Sequence, residues 1–343
     1  MVKKVYVGMS GGVDSSVTAA LLQQQGYDVT GVYMKNWSRD LPGFVCPWQE
    51  DYQDAKRVAV QLGIDFKMYD FETDYRHKVV DYMIAEYQAG RTPNPDVMCN
   101  QEVKFKLFLE TSLEDGADLI ATGHYARIKA GQLYTGLDKG KDQSYFLYRV
   151  TAKALQKSLM PIGELRKTEV RKLAKKLGLS TADKPDSQGI CFVGKVGIKE
   201  FLLNELGPQP HGPIIDQNGK AIGQHDGALF YTIGQRHGLD VGGGLPYYVA
   251  RKDMKTNTIY VTTNLDDKNL WTKEIKLQDL HWINEKPEPG KQYQTRLRYR
   301  GPLVACKIKG NQLILAEPQR GLAAGQSAVL YDADHVLGGG IIA

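Results

Sequence analysis

The fold is indicated first by the segment KVYVGMSGGVDSS at residues 4–16. The β-branched and aromatic run at residues 4–9 predicts a strand, and the apolar periodicity of residues 15–25 predicts a helix. Gly11 and Gly12 predict a tight turn between them. In a doubly wound sheet, such a turn binds anions, because backbone amides at the helix N-terminus point at the ligand.

The side chains of this loop indicate the chemistry it serves. Ser10, Ser15 and Ser16 supply hydroxyl groups, and Asp14 supplies a carboxylate that we expect to meet a magnesium ion. The loop lacks the Gly-Lys-Ser/Thr ending of a Walker loop, so it carries no lysine for a terminal phosphate. The absence of this lysine disfavours a γ-phosphate hydrolase. The alternative to a phosphate-binding site is that this segment only starts a helix and binds no ligand.

The first half of the chain continues to alternate strand and helix signals. The predicted strands are residues 28–34, 64–71 and 118–122, and the predicted helices are residues 50–62, 73–89 and 100–114. Strands separated by helices of this length pair in parallel. We therefore predict a doubly wound α/β domain over residues 1–205, with a basic insertion at about residues 139–195.

The second half has a different texture, with short strands punctuated by glycine and proline. Residues 206–272 predict a small β-rich central domain. Closely spaced strand signals at residues 292–299, 303–309, 312–316 and 327–331 predict an antiparallel β-barrel over residues 273–343.

Composition narrows the class of protein. The chain has 343 residues and four widely separated cysteines without a C-x-x-C pair, which excludes a disulfide framework and a zinc ribbon. No run approaches eighteen apolar residues, and the N-terminal residues turn to glycine and serine before a signal-peptide core could develop. We therefore expect a cytoplasmic protein with reduced thiols and no membrane association.

The net charge of +5 is unevenly distributed along the chain. Residues 139–176 hold eleven Lys or Arg against three acidic residues, and residues 270–310 hold nine against four, so the remainder is net acidic. In the second basic segment, Arg296, Arg298 and Arg300 alternate with neighbours such as Tyr299, which would place all three arginines on one face of a strand. The two segments predict either an ordinary solvated surface or a phosphate-binding footprint in two parts.

Two cysteines lie in loops whose sequence favours a reactive thiol over a structural one. Cys99 follows a proline-stiffened loop, and Asn100 is a plausible N-cap, which would put Cys99 at the positive end of a helix and lower its pKa. Cys191 lies in a loop rich in glycine and charge. The alternative for any free cysteine is an inert, buried side chain, and this is the interpretation we keep for Cys46 and Cys306.

Several motifs resemble known enzymes. The segment at residues 8–16, which we call the phosphate loop, resembles the pyrophosphatase-loop signature of enzymes that split ATP into AMP and pyrophosphate. In chain order, the full set resembles the bacterial tRNA-specific 2-thiouridylases: GMSGGVDSS at 8–16, MKNW at 34–37, AGRTPNPD at 89–96 with CN at 99–100, KF at 104–105, ATGHYA at 121–126, KDQSYFL at 141–147, DSQGICF at 186–192 and YTIGQR at 231–236.

The resemblance implies roles for residues at matching positions. Cys191 would carry a persulfide, and Cys99 would be the nucleophile that releases its sulfur and ends in a Cys99–Cys191 disulfide. Asp96 would be a general acid or base beside the flipped-out base, together with Asn94 and Pro95. The implied ATP-binding residues are Gly8, Met9, Ser10, Gly11, Gly12, Val13, Asp14, Ser15, Met34 and Gly123. The implied tRNA contacts are His124, Lys141, Asp142, Gln143, Arg298, Tyr299 and Gln326.

The implied activity is an ATP-dependent sulfurtransferase that forms 2-thiouridine at the wobble position of lysine-, glutamate- and glutamine-type tRNAs. Its partners would be tRNA and the sulfur-donor protein of a cysteine desulfurase relay. The sequence leaves open whether sulfur is transferred directly or as hydrosulfide, whether an iron–sulfur cluster is bound, the oligomeric state, and the role of residues 38–48 with Cys46. The alternatives are an amide-forming synthetase that uses ammonia, and a tRNA-binding module without catalysis.

Overall fold

The first strand lies at the centre of a five-stranded parallel sheet. A computed structural model of the chain describes residues 2–186, 192–193, 197–239, 241–242 and 246–343. In their order across the sheet, the strands are β3 (Asp65–Asp70), β2 (Asp28–Lys35), β1 (Lys4–Gly8), β4 (Leu119–Ala121) and β7 (Ser158–Leu159). Every pairing among them is parallel. The predicted doubly wound class is therefore confirmed, and the order of strands reverses beside β1.

Helices cover both faces of this sheet. The α-helices are α1 (Val13–Gln24), α2 (Trp48–Leu62), α3 (Glu72–Tyr75), α4 (Asp81–Gln88), α5 (Pro95–Met98), α6 (Phe108–Glu114), α7 (Ala152–Gln156), α8 (Lys167–Lys176) and α9 (Ile198–Leu206). Along β1, Val5 and Val7 enter one core with residues of α1, α2 and α8, whereas Tyr6 enters another with residues of α3 to α6. This alternation is what a strand buried on both faces requires. Among the described residues, no helix has the length and apolar character needed to cross a membrane.

Two predicted helices differ from expectation in their interior. The helix predicted at residues 73–89 is present, but a π-helical turn at Arg76–Val80 separates α3 from α4. The helix predicted to begin at Asn100 begins earlier, at Pro95, and its middle, Cys99–Leu107, is π-helical. π-helical turns are rare and occur frequently at functional sites.

Two β-rich units follow the parallel sheet. The central sheet has the order β10 (Tyr248–Asp253), β11 (Thr258–Thr262), β8 (Gly212–Ile215) and β9 (Ala221–His225). The last sheet contains β12 (Trp271–Trp282), β13 (Tyr293–Arg296), β14 (Val304–Lys309), β15 (Gln312–Arg320), β16 (Ser327–Asp332) and β17 (His335–Ile342). Because β12 pairs with both β15 and β17, these six strands close into the predicted barrel.

A hairpin from the first half of the chain extends the barrel sheet, which the sequence did not reveal. It consists of β5 (Ala126–Lys129) and β6 (Gln132–Thr135), and β6 pairs with the barrel strand β17. The rings of Tyr134 and His335 stack across this junction with centroids 5.0 Å apart. Barrel residues, including Val329 and Tyr331, also join the core of the parallel-sheet domain. The barrel is thus held against the parallel-sheet domain by a shared sheet and a shared core.

Candidate active site

The phosphate loop connects β1 to α1 at the carboxyl edge of the sheet. Gly12 occupies the N-cap of α1, and no side chain caps that end of the helix. Hydroxyl groups brace the loop from within: the Ser10 amide donates to Ser15 Oγ at 3.2 Å, and Ser16 Oγ donates to the Gly12 carbonyl at 2.8 Å. A helix N-terminus without a side-chain cap, preceded by glycines, is a geometry that binds phosphate oxygens.

Two glycines are required by close backbone approach. Gly11 has a φ of +74°, and a Cβ atom there would lie 2.3 Å from the carbonyl oxygen of Asp51. A Cβ atom on Gly123, which follows β4, would lie 2.8 Å from the backbone nitrogen of Ser15. The carboxyl ends of β1 and β4 therefore meet at this loop, as expected at the switch point of a doubly wound sheet.

The structure refines the other predicted ATP-binding residues. Met34 lies against the start of the loop, because a Cβ atom on Gly8 would be 2.9 Å from its Cε atom. The side chains of Met9 and Val13 are only 1% and 3% exposed and belong to the hydrophobic core. Only their backbone groups are therefore available to a nucleotide.

A lysine that the sequence analysis missed reaches the phosphate loop. Lys167, the first residue of α8, places Nζ 2.8 Å from each carboxylate oxygen of Asp14. The Tyr125 hydroxyl donates to the same carboxylate at 2.7 Å. No lysine occurs within the loop, but one arrives from 153 positions further along the chain. Because Lys167 occupies both oxygens of Asp14, a metal ion there would have to displace its ammonium group.

Three cations converge on the carboxylate of Asp186. Lys141, Lys167 and Arg171 donate to it at 2.7, 2.8 and 2.6 Å. Burial opposes ionisation, but hydrogen bonds from Lys141 and Lys167 hold the pKa of Asp186 well below its usual range. Lys141, which the family resemblance assigns to tRNA, is thus committed to Asp186 here. Lys167 joins this carboxylate to the phosphate loop.

The helix that carries Cys99 begins before that cysteine, so the predicted capping role of Asn100 is wrong. Asn94 occupies the N-cap position and Pro95 is the first helical residue, a position that proline favours. Asn100 is 3% exposed, and its side-chain amide donates to the Phe146 carbonyl at 3.2 Å. Cys99 therefore lies inside a continuous helical segment rather than at its positive end.

The predicted lowering of the Cys99 pKa is also wrong for this structure. Cys99 is 5% exposed, and burial raises the pKa of its thiol. The positive charge of Lys104 opposes that shift, and a hydrogen bond between the thiol and the Tyr75 side chain also favours the thiolate. Cys99 is thus a buried thiol whose ionisation depends on a few neighbouring groups.

Asp96 and Lys104 lie near each other without forming an ion pair. Burial raises the pKa of the Asp96 carboxyl, and the charge of Lys104 partly offsets it. Within the described ranges, the Asp96 carboxylate accepts no hydrogen bond, and Lys104 has no carboxylate within 4.0 Å. A raised pKa in a half-buried carboxylate without an ion-pair partner is typical of catalytic acids and bases.

His124 separates the phosphate loop from the cysteine site. It follows Gly123, its Nδ1 is 2.8 Å from Thr122 Oγ1, and its ring lies 5.7 Å from that of Phe105 on the Cys99 helix. Burial lowers the pKa of His124 well below its ordinary value, so the ring is neutral. His124 is only 7% exposed, and its implied contact with tRNA stays a prediction. The dipeptide Gly123-His124 therefore contacts both the phosphate loop and the helix that carries Cys99.

Cys191 lies outside the described residues, as do its neighbours at 187–190 and 194–196. Phe192, the residue that follows it, is fully buried. The Phe192 ring packs against Tyr75, Trp37 and Phe201, with centroids 5.8, 5.7 and 5.0 Å apart. Tyr75 also hydrogen-bonds Cys99. The residue next to Cys191 and the thiol of Cys99 thus contact the same tyrosine.

The loop that leads to Asp96 is clamped by both β-rich units. Thr92 donates its amide to the Ala324 carbonyl at 2.7 Å, and Gln326 Nε2 donates to the Thr92 carbonyl at 2.7 Å. The hydroxyls of Thr92 and Thr232 are 3.0 Å apart. A Cβ atom on Gly325 would lie 2.8 Å from the Thr92 nitrogen. Gln326, which the family resemblance implies as a tRNA contact, therefore holds the loop that leads to Asp96 in position.

Asp142 and Gln143 form internal contacts, and the tRNA contacts that the family resemblance implies for them stay a prediction. The Asp142 side chain is 1% exposed and accepts hydrogen bonds from Ser144 Oγ and Arg296 Nη1, both at 3.1 Å. Gln143 Oε1 accepts from the Tyr125 amide at 2.9 Å. Asp142 thus pairs with a barrel arginine across the junction between two domains.

The predicted row of three arginines on one strand is wrong. β13 ends at Arg296, which turns inward to Asp142, and Arg298 and Arg300 follow in a turn. Both later arginines are exposed. Tyr299 packs its ring 4.3 Å from that of Phe146. Arg298 and Arg300 are therefore accessible to a polyanion, whereas Arg296 is paired with Asp142.

Comparison with known proteins agrees with this architecture. Family models described as tRNA methyl transferase HUP domain, tRNA methyl transferase PRC-barrel domain and aminomethyltransferase beta-barrel domain match residues 3–195, 199–263 and 272–342. The chain is 46% identical to the tRNA-specific 2-thiouridylase MnmA of Verminephrobacter eiseniae, over 99% of this chain and 98% of that protein. It is also 46% identical to tRNA-specific 2-thiouridylase MnmA 2 of Geobacillus kaustophilus, over 99% and 94%. The chain belongs to the tRNA-specific 2-thiouridylase family.

Proposed function

We propose that this protein is an ATP-dependent sulfurtransferase that forms 2-thiouridine at the wobble position of tRNA. The observation that carries the proposal is the Gly123-His124 dipeptide, which brings the phosphate loop beside the helix of Asp96 and Cys99. A site that activates a carbonyl oxygen with ATP and then replaces it with sulfur needs both halves within one substrate's reach. The names of the relatives support tRNA as the substrate.

In the first step, the uridine 2-oxygen attacks the α-phosphorus of ATP and pyrophosphate leaves. Asp96 accepts the proton from uridine N3, so the adenylated base is neutral, and its raised pKa suits a group that must take up a proton. The loop amides and Lys167 offset the charge of the departing pyrophosphate. Magnesium that accompanies ATP would be bound mainly by phosphate oxygens, since Asp14 is already ion-paired.

In the second step, sulfur replaces the adenylate oxygen at C2. The sulfur comes from a persulfide on Cys191 that a partner of a cysteine desulfurase relay supplies. Cys99 attacks the inner sulfur of that persulfide, the terminal sulfur leaves as hydrosulfide, and hydrosulfide displaces AMP from the base. A Cys99–Cys191 disulfide then remains and must be reduced before another turnover. This chemistry requires reduced thiols and tRNA, and so a cytoplasmic location belongs to the proposal.

Mass analysis of tRNA nucleosides tests this function. The protein is incubated with tRNA, ATP, magnesium and a cysteine desulfurase system, and we expect 2-thiouridine that disappears when ATP or the sulfur source is omitted. Pyrophosphate release with ammonia and without any sulfur product would instead support the amide-forming synthetase. Binding of tRNA without pyrophosphate release would support the non-catalytic module.

Arg298 offers a test of the tRNA footprint. Charge reversal, Arg298→Glu, removes an exposed cation in the turn after β13. We expect weaker tRNA binding and a shallower slope of log affinity against log salt concentration. The slope should decrease by about one or more, which corresponds to the loss of at least one phosphate contact. Binding is measured by fluorescence titration over a series of salt concentrations. Lys220→Glu is the control, because Lys220 is exposed in the turn between β8 and β9, outside both basic segments. Equal affinities for wild type and Arg298→Glu would remove the second basic segment from the footprint.

Gln326 allows the clamp on Thr92 to be separated from a direct tRNA contact. Gln326→Leu removes the 2.7 Å hydrogen bond to the Thr92 carbonyl, and a lost hydrogen bond of about 1 kcal/mol predicts a kcat reduced about fivefold. The KM for tRNA should change little if positioning is the role. Gln319→Leu, near the end of β15, is the control, because its side-chain amide donates only to the carbonyl of the adjacent Pro318. A raised KM with an unchanged kcat would instead assign Gln326 to substrate binding alone.

A further inference from the structure

Lys104 is a half-buried cation to which the reaction outlined above gives no role. Its neighbour Lys106 is ion-paired with Glu102 at 2.9 Å. Lys104, by contrast, forms no ion pair with any carboxylate of the described residues. A lysine that loses part of its hydration without an ion-pair partner is costly. The position of Lys104 without an ion-pair partner therefore indicates a functional role for its charge.

The π-helical turn brings Lys104 onto the face of the helix that carries Cys99. In this segment the Phe108 amide donates to the Val103 carbonyl, five residues earlier, which is the π-helical pattern. Cys99 and Lys104 have the same spacing of five residues and so lie one π-turn apart. In a regular α-helix, neighbours on one face are three or four residues apart. The wider turn thus aligns a cation with the buried thiol.

The described charged and titratable groups around Cys99 act in opposite directions. Burial raises the pKa of the Cys99 thiol, Lys104 lowers it, the Asp96 carboxylate raises it, and the hydrogen bond with Tyr75 lowers it. His124, which also senses the charge of Lys104, is buried and neutral because burial lowers its pKa. Lys104 is therefore the one cation, among the groups that act on Cys99 in the described residues, that favours the thiolate.

We propose that Lys104 is a positioning residue for sulfur release, which acts by stabilising the Cys99 thiolate. The inference rests on the proposed function for the identity of the thiolate's target. The thiolate attacks Cys191 Sγ of the persulfide, a sulfur–sulfur bond forms between the two cysteines, and the bond to the terminal sulfur breaks. That sulfur leaves with the electron pair as hydrosulfide, so no external oxidant or reductant is needed in this step.

The opposing charges of Lys104 and Asp96 also determine the order of the two steps, adenylation of the base and release of sulfur. While Asp96 is ionised, its negative charge opposes formation of the Cys99 thiolate. When Asp96 takes the N3 proton during adenylation, that opposition disappears and the Lys104 charge acts on Cys99 without a competing anion. Sulfur is then released once the base has been activated. Premature release, in which hydrosulfide escapes to solvent, is disfavoured.

The test measures how readily Cys99 ionises in the full-length protein without ATP or tRNA. Iodoacetamide is applied over a range of pH values, and mass spectrometry of the peptide that contains Cys99 gives the midpoint pH of alkylation. We expect Lys104→Gln to raise the midpoint by about one pH unit and Asp96→Asn to lower it by a similar amount. Lys104→Arg should restore the wild-type value, and Lys106→Gln, on the same helix, should match the wild type.

Opposite shifts distinguish charge from structural damage, because a loosened helix would expose Cys99 and lower the midpoint in both variants. A Lys104→Gln midpoint at or below that of the wild type would overturn the proposal. If Lys104→Gln does not fold by circular dichroism, Lys104→Met, which also removes the positive charge, replaces it, and a midpoint at or below that of the wild type would again overturn the proposal. Because the alkylation assay contains no tRNA, its failure is distinguishable from failure of the proposed function, which the thiolation assay measures independently.

Discussion

Replacing Cys191 by alanine is expected to abolish 2-thiouridine formation while ATP- and tRNA-dependent pyrophosphate release continues. The variant keeps the phosphate loop, Lys167 and Asp96, to which the proposed mechanism assigns adenylation, and it removes the atom that would carry the sulfur. We expect the yield of 2-thiouridine to fall by about a thousandfold or more. Nucleoside mass analysis and a pyrophosphate assay on the same reaction measure the two steps.

Cys46→Ala is the matched control for this experiment. Cys46 is a half-buried cysteine whose thiol lies 3.6 Å from the Trp37 carbonyl, and the reaction gives it no role. It should retain both activities. If Cys191→Ala lost both activities to the same extent, the persulfide could not be assigned to this residue, because adenylation needs no thiol.

Replacing Lys167 by methionine is expected to reduce pyrophosphate release by about a hundred- to a thousandfold. The Lys167 side chain is 11% exposed and lies 2.8 Å from carboxylates of both Asp14 and Asp186. Its removal leaves two carboxylates beside the position where the pyrophosphate charge develops. Both sulfur transfer and adenylation should fail together, in contrast to the Cys191 variant.

The control for Lys167 is Lys172→Met, an exposed residue of the same helix, assayed at saturating tRNA. It should release pyrophosphate at the wild-type rate. Wild-type kinetics for ATP in Lys167→Met would show that the ammonium serves only to hold Asp14 and Asp186 in place. Thermal unfolding of both variants reports whether either substitution disturbs the fold.

The sequence predicted those features whose signals are local. The strand, glycine turn and helix at residues 4–25 are contiguous, so periodicity and turn chemistry suffice to place the phosphate loop. The barrel strands and the parallel sheet follow from the same kind of signal. The role of Lys167 could not be predicted in this way, because its partner Asp14 is 153 positions away. Its position at the start of a helix in a basic segment was the available clue.

The errors at Cys99 and Arg296 have a different physical cause. The helix begins at Pro95, five residues earlier than predicted, and Cys99 is buried within it, so desolvation is the dominant influence on its pKa. Arg296 was assigned to an exposed face because its buried partner, Asp142, belongs to another domain. Hairpin β5–β6 was missed for the same reason, since its pairing strand β17 lies about 200 residues downstream. Tertiary partners decided the positions of Arg296 and of the hairpin, whereas the error at Cys99 came from a local signal, the proline at position 95.

The central claim is that the uridine 2-oxygen is activated by adenylation and leaves with AMP. Its most direct test uses tRNA labelled with ¹⁸O at C2 of the wobble uridine, turned over with ATP and the sulfur-donor system, followed by mass analysis of AMP and pyrophosphate. Attack by the 2-oxygen on the α-phosphorus predicts one ¹⁸O atom in AMP for each 2-thiouridine formed and none in pyrophosphate. Unlabelled AMP formed alongside 2-thiouridine would contradict the account.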